Sequence, residues 1–528
     1  MSSKFTRIFA APFFGLLLGL TASFGFAPHY NIAACSVGLS GLWLTLRIIG
    51  PRASPLHFFT AYTYGFGLFL SSLNWIGDAL LVDGTPYRWA WPLAVAGIPA
   101  VLAVYYGLAG LILRYLSPPN ASSTLGHFLC FVGLISGLEW LRSYLFTGFP
   151  WNLYGHIWTQ HLAILQVLAP TNVYVFTSLS VFWLSAPGAI LKLMRERKIQ
   201  KSALLFALVI ASFSGLSRWG ADTLAANPTQ YNKDVSLVLV QANIPQDMKL
   251  SGQHIDEDII KHIDLSYPSA KSPRITKKTI IVWPESSMVT RFYDKPLIHA
   301  MMADMMQRYA GEVFLLSGHL RANYEKGEYY NSLSQFNRNL QIVQGYDKHH
   351  LVPFGEYIPF QRFIPLNTVS GFQGFKPGPG PYTLELDQEL NYSPAICYEI
   401  IFSGQVINHK LQSSPPDFIV TVTNDAWFGL SAGPQQHFDQ AIFRAIEERT
   451  PVIRAANSGI SGVIDPMGRV LARSKIAQKE KIETFLPKII ASTDKNNYIN
   501  NIIMLLALLC LGFNSPLIQV FQTLIAKK

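Results

Sequence analysis

A thiol, a carboxylate and an ammonium group that meet in one place are the parts of covalent acyl chemistry. This chain offers one candidate for each in its only long polar segment. Cys397 stands in Ser393-Pro394-Ala395-Ile396-Cys397-Tyr398-Glu399-Ile400-Ile401, between an apolar run and a Tyr-Glu pair. Glu285 closes Ile280-Ile281-Val282-Trp283-Pro284-Glu285, and Lys348 lies in Tyr346-Asp347-Lys348-His349-His350. A thiol titrates near about 8.5 when unperturbed, so a base must take its proton as the sulfur attacks a carbonyl. Glu285 is the candidate base: Pro284 ends a strand ladder and turns the next side chain out at the sheet edge, where α/β proteins keep their sites. Lys348, with the backbone amide after the cysteine as helper, is the candidate holder of the negative oxygen of a tetrahedral intermediate.

Glu356, in Leu351-Val352-Pro353-Phe354-Gly355-Glu356-Tyr357, and Glu399 either orient Lys348 and tune the base or serve as structural ion-pair partners. His349 and His350 would point to opposite faces of an extended strand, and no HExxH or CxxC spacing exists, so no metal is expected. Asn424-Asp425-Ala426-Trp427-Phe428-Gly429 has the polar and aromatic make-up of a site loop. Cys35, Cys130 and Cys510 fall in hydrophobic runs, where cysteine acts as a small apolar group. Cys397 therefore has no disulfide partner in the polar segment, and a thiol kept free in an oxidising compartment favours a working role.

The elements that position these groups follow from a change of period. Val235 to Ile244, Thr279 to Trp283, Val313 to Ser317 and Phe418 to Thr423 are runs of Val, Ile, Leu and Thr bounded by turn residues, as buried strands are. Lys295 to Tyr309 and Gln435 to Glu448 are helical candidates between them. Alternating strands and helices predict an α/β sandwich with a single core.

The rest of the chain belongs to a bilayer. Half of the residues are hydrophobic and 14% are charged, and runs with little or no charge occur at about 8–28, 31–49, 57–77, 89–113, 127–147, 162–191 and 201–217, with an eighth at 498–526. Pro170 and Pro187 interrupt the sixth. Lys4, Arg7, Arg47, Arg52, Arg114, Lys192, Arg195, Arg197, Lys198, Lys201 and the terminal Lys527-Lys528 all fall on one side if the count is right, which makes that side cytoplasmic. The net charge of +10 is thereby explained without nucleic acid, since no basic stripe interleaved with aromatics appears. Glu139 and Arg142, three apart in the fifth run, form either a structural brace or a polar patch near a lipid-facing mouth. An interfacial belt accounts for most of Trp75, Trp89, Trp91 and Trp151.

Trp283-Pro284-Glu285, then Lys348 to Glu356 in the form Lys-x-x-Leu-Val-Pro-Phe-Gly-Glu, then Cys397-Tyr398-Glu399, then Asn424 to Gly429, resemble the nitrilase superfamily with its Glu-Lys-Cys triad. With the apolar runs and Gly148-Phe149-Pro150-Trp151, the pattern is similar over nearly the whole chain to the apolipoprotein N-acyltransferase family. The resemblance implies an α/β fold, a nitrilase-like α-β-β-α sandwich at 221–495 inserted between transmembrane helices 7 and 8 of an eight-helix membrane domain formed by 1–220 and 496–528. It makes Glu285 the general base, Lys348 the oxyanion stabiliser and Cys397 the nucleophile, with Glu356, Tyr398 and Glu399 as supporting site residues and no cofactor. The implied reaction moves the sn-1 acyl chain of a phospholipid, typically phosphatidylethanolamine, through a thioester to the α-amino group of a diacylglyceryl-cysteine on an apolipoprotein. The expected setting is the bacterial inner membrane, with the catalytic domain periplasmic, both termini cytoplasmic and the protein a monomer. One departure is that Asn243-Ile244-Pro245-Gln246 is followed here by Asp247-Met248-Lys249-Leu250, where family members often carry a tryptophan. Two other readings stay open, a membrane-tethered amidase of a small C–N substrate and a transporter or receptor with an inactive outer domain.

Overall fold

The computed structural model describes residues 2–49, 54–83, 85, 87–116, 123–269, 276–288, 294–359, 374–409 and 415–490. They group into two compact units, one of Met1–Ile76 with Pro92–Ala226 and one of Gly77–Trp91 with Asn227–Ser492. The connection between the third and fourth helices thus groups with the second unit.

The first unit is helical: α1 (Ser2–Ser23), α2 (Ile32–Ile48), α3 (Ser54–Ser72), α4 (Trp91–Leu116), α5 (Thr124–Arg142), α6 (Leu162–Leu165), α7 (Val173–Arg195) and α8 (Ile199–Ala226). Helices α4, α5, α7 and α8 are long and apolar enough to cross a membrane, and α1 and α2 contribute shorter apolar helices. Six of the seven expected runs each coincide with one helix. The sixth does not: 162–191 breaks into α6, a 3-10 turn at Gln166–Leu168 and then α7. Pro170 stops the first piece, and Asn172 starts the second by accepting from the Tyr174 and Val175 amides, each at 3.0 Å. Pro187 sits within α7 without breaking it. The eighth run lies outside the described residues.

Close approach of α1 and α3 depends on small residues, because lipid supplies no hydrophobic force between helices. A Cβ on Gly19 would stand 1.9 Å from the Tyr64 carbonyl oxygen. Glu139 and Arg142 are a brace: Arg142 bonds the Glu139 carboxylate at 2.8 Å and the Trp151 carbonyl at 3.0 Å, and Tyr106 donates to the other carboxylate oxygen at 2.8 Å. Trp75 and Trp151 are buried and pack against each other with ring centres 5.0 Å apart, so these two belong to the interior rather than to a belt.

The second unit holds twelve strands among the described residues: β1 (Tyr231–Gln241), β2 (Lys278–Met288), β3 (Glu312–Asn323), β4 (Glu328–Phe336), β5 (Ile342–Asp347), β6 (Leu384–Glu385), β7 (Asn391–Ile396), β8 (Phe418–Thr423), β9 (Val452–Ala456), β10 (Gly462–Ile464), β11 (Val470–Arg473) and β12 (Glu480–Pro487). They form two six-stranded mixed sheets, ordered β12-β1-β2-β3-β4-β5 and β11-β10-β9-β8-β7-β6. In each a parallel triplet, β1-β2-β3 or β7-β8-β9, is flanked by antiparallel strands.

Alternation along β1 builds two cores rather than the single one expected. Leu237 and Leu239 pack between the sheets with Ile280, Val282, Ile396, Val420 and Ile453. Val238 and Val240 face the other way, with Ile281 and Trp283, onto Ile259 and Ile263 of α10 (Ile255–Ser266) and Met302 and Met305 of α11 (Pro296–Gln307). Each such side chain contributes about 1.5–3 kcal/mol on burial, and burial on both faces explains the continuous apolar runs. The remaining helices are α9 (Gln246–Ser251), after β1, and α12 (Gly433–Glu448), which packs against β9.

Candidate active site

The site gathers at the C-terminal ends of the parallel strands. β2 pairs regularly with β3 up to Trp283, opposite Ser317, and the register then shifts before Met288 meets His319. Pro284 has no N–H to give the ladder, and Ser286 takes a left-handed φ of 52°. Glu285 therefore sits on an irregularity inside the strand, not beyond its end as the sequence predicts. Gly318 on β3 makes room for it, since a Cβ there would lie 2.3 Å from the Pro284 oxygen and 2.5 Å from the Glu285 Cα. Lys348 is the first residue after β5, and its amide donates to the Asn331 carbonyl of β4 at 2.8 Å. Cys397 follows β7 directly and opens a 3-10 turn, Cys397–Ile401, with a φ of 53°.

Buried Lys348 donates to Glu356 at 2.9 Å and stands 3.8 Å from Glu285 Oε1. Asn331 ties the two carboxylates together, its amide nitrogen donating to Glu285 Oε1 at 2.7 Å and to Glu356 Oε1 at 2.9 Å. The other Glu285 oxygen accepts from the Asn424 amide at 2.8 Å, and the other Glu356 oxygen from the Val352 amide at 2.8 Å. Glu399 is enclosed by donors: the amides of Ile396, His349 and His350 at 2.7, 2.8 and 3.1 Å, and the Tyr346 hydroxyl at 3.0 Å. It binds the loop carrying Lys348 to the turn carrying Cys397. The His349 ring also contacts Glu399, while the His350 ring stacks on Phe402. No cluster of metal-ligating residues occurs among the described residues. Tyr398 is buried, its ring edge-on to Phe402.

Burial raises the Glu285 carboxyl above its ordinary range, against the lowering effect of the Lys348 charge. Burial opposes the Lys348 ammonium, yet the flanking Glu356 and Glu285 more than compensate and hold it charged. Burial pushes the Cys397 thiol up, and the nearby Glu285 charge adds to the rise while Lys348 resists it. The resting pair is thus a protonated thiol and a base of raised affinity for protons, so thiolate forms only as the proton moves.

Sequence reasoning missed Asn331, whose place in a polar stretch of β4 carries no local signal, whereas the loop after β8 that it did single out supplies the Asn424 amide to Glu285. It missed Lys249 as well. That ammonium, from α9, lies 3.4 Å from the Glu285 and Ser286 carbonyl oxygens and is lowered to about 8 by burial.

These strands and this cluster define a carbon–nitrogen hydrolase domain: the Carbon-nitrogen hydrolase family model matches residues 239–486. The model for the Apolipoprotein N-acyltransferase N-terminal domain matches residues 18–186. A Rhodopseudomonas palustris apolipoprotein N-acyltransferase is 32% identical over 84% of this chain and 82% of its own. A Caulobacter vibrioides relative of the same description is 33% identical over 93% and 92%. Among solved structures, a Saccharomyces cerevisiae member of the nitrilase superfamily aligns with 48% of this chain and 90% of its own at 15% identity and a TM-score of 0.32. The chain belongs to the apolipoprotein N-acyltransferase family, and its apolar helices fit a membrane protein.

Proposed function

We propose that this protein transfers the sn-1 acyl chain of a phospholipid, typically phosphatidylethanolamine, to the α-amino group of the S-diacylglyceryl-cysteine that begins an apolipoprotein. The observation that carries this reading is the buried Glu285–Lys348 pair beside the lone thiol of the sheet unit in a member of this family.

Glu285 takes the Cys397 proton as the sulfur forms a bond to the ester carbonyl carbon, and Lys348 holds the resulting oxyanion. Collapse breaks the bond to the glycerol oxygen. That oxygen takes the proton from Glu285 and leaves as lysophospholipid, with the acyl group on sulfur. The lipoprotein amine then attacks the thioester and gives its proton to Glu285. Collapse releases the thiolate, which recovers the proton, and the product is an amide. Glu356 and Glu399 hold Lys348 and the nucleophile turn in register, and Tyr398 shapes the substrate side. In this reading residues 221–495 lie in the periplasm between the seventh and eighth spans of the inner membrane, with 1–220 before them, 496–528 after them, both termini cytoplasmic and the protein a monomer.

The test is intact mass after incubation with phosphatidylethanolamine, with Cys397→Ser in parallel. A hydroxylamine-labile acyl increment on the wild type alone, discharged by a diacylated lipopeptide with a free amino terminus, is expected. Release of free fatty acid without transfer would favour a hydrolase instead.

A further inference from the structure

Next to Cys397 lies a buried charge cluster that these steps leave unused. Asp425, just after β8, accepts from Arg454 of β9 at 2.8 Å through Oδ2. Its Oδ1 accepts from the Thr423 hydroxyl at 2.7 Å and meets His437 Nδ1 of α12 at 2.8 Å. Asp425, His437 and Arg454 are all within 1% of complete burial. Two arms run from this hub to the nucleophile. Nε2 of His437 donates to the Cys397 carbonyl oxygen at 3.1 Å, and the Thr423 hydroxyl lies against the thiol.

Cys397 needs such a hold. Its φ of 53° is in the left-handed region, where a non-glycine residue stays only if its surroundings fix it. A trans peptide is planar with C=O and N–H opposed, so a donor on the Cys397 carbonyl fixes the whole Cys397–Tyr398 peptide and the direction of its amide.

We infer that His437, held in place by Asp425 and Arg454, is a positioning residue that locks the Cys397–Tyr398 peptide and keeps the thiol in its attacking orientation. The inference rests on Cys397 being the nucleophile. A cluster that only ties α12 to β9 would not depend on whether residue 437 reaches that carbonyl.

The experiment compares full-length wild type with His437→Gln and His437→Asn in phosphatidylethanolamine vesicles, following the first turnover of Cys397 acylation by intact mass. Glutamine carries an amide nitrogen out to the place of Nε2; asparagine ends near Nδ1. The asparagine variant is expected to charge on the order of 100-fold more slowly, with half-saturating lipid unchanged, and the glutamine variant to recover to within about tenfold of wild type. Equal rates in all three proteins, or equal losses in two folded variants, overturn the inference. Should His437→Asn not fold, His437→Leu takes its place with the same expected loss. A wild type that never charges removes the acyltransferase reading, and the inference with it.

Discussion

Glu285 and Cys397 share one environment, and it makes opposite demands on them. Burial keeps the thiol protonated and makes the carboxylate a stronger base than usual. Glu285→Gln is therefore expected to slow acyl-enzyme formation by about 10²–10⁴-fold, read as the rate of the mass increment. In the proposed mechanism activity requires the ionised carboxylate, so the acid limb of the pH–rate profile should lie above the range of an ordinary glutamate. An acid limb near pH 4 would contradict this. Asp425 works in the other direction. Although burial raises it, Arg454 and His437 hold it down to about 2, below the unfolded value. Its stabilisation is therefore complete above about pH 4 and is lost as pH falls toward 2. Asp425→Asn leaves the Arg454 charge buried without its partner and should cost about 3–5 kcal/mol in thermal or denaturant unfolding.

At the level of elements, what was legible in the sequence depended on which faces were buried. β1, β2, β3 and β8 were readable as continuous apolar runs because they have neighbours on both faces. β7 was less plain, since Pro394 argues against a central strand. The structure explains the exception: β6 pairs with β7 only at Tyr392 and Asn391, so the missing Pro394 N–H faces no continuing ladder on that side. The Glu285, Lys348 and Cys397 motifs could be read from their neighbours, whereas Asn331 and His437 acquire meaning only when strands and a helix far apart in sequence converge. The irregularity in β2 was likewise out of reach, because it depends on Gly318 in the next strand. Gly318→Ala is expected to destabilise the sheet unit by about 1–3 kcal/mol and to lower the acylation rate by displacing Glu285. A variant with wild-type rate and melting temperature would show that the strand accommodates the methyl group.

At the scale of the whole molecule, orientation in the bilayer rests on charge. Lys192, Arg195, Arg197, Lys198 and Lys201 cluster around the junction of α7 and α8, where little opposing acid is available beyond Glu196. In intact cells an impermeant maleimide that has crossed only the outer membrane should label Tyr324→Cys and not Lys198→Cys, both being exposed positions; the reverse pattern would invert the topology. The order of the first sheet has a further consequence. β1 pairs with β12, joining Tyr231 to Pro487, so the two ends of the catalytic segment are neighbours in space and the sheet is incomplete until the last strand arrives. A ribosome delivering this chain has synthesised β1 long before β12 exists, and during that interval the edge of β1 is open to any other extended chain. Completion of the first sheet is therefore set by the completion of translation rather than by its progress, and a nascent chain stopped short of Glu480 leaves that sheet five-stranded, with β1 as its open edge.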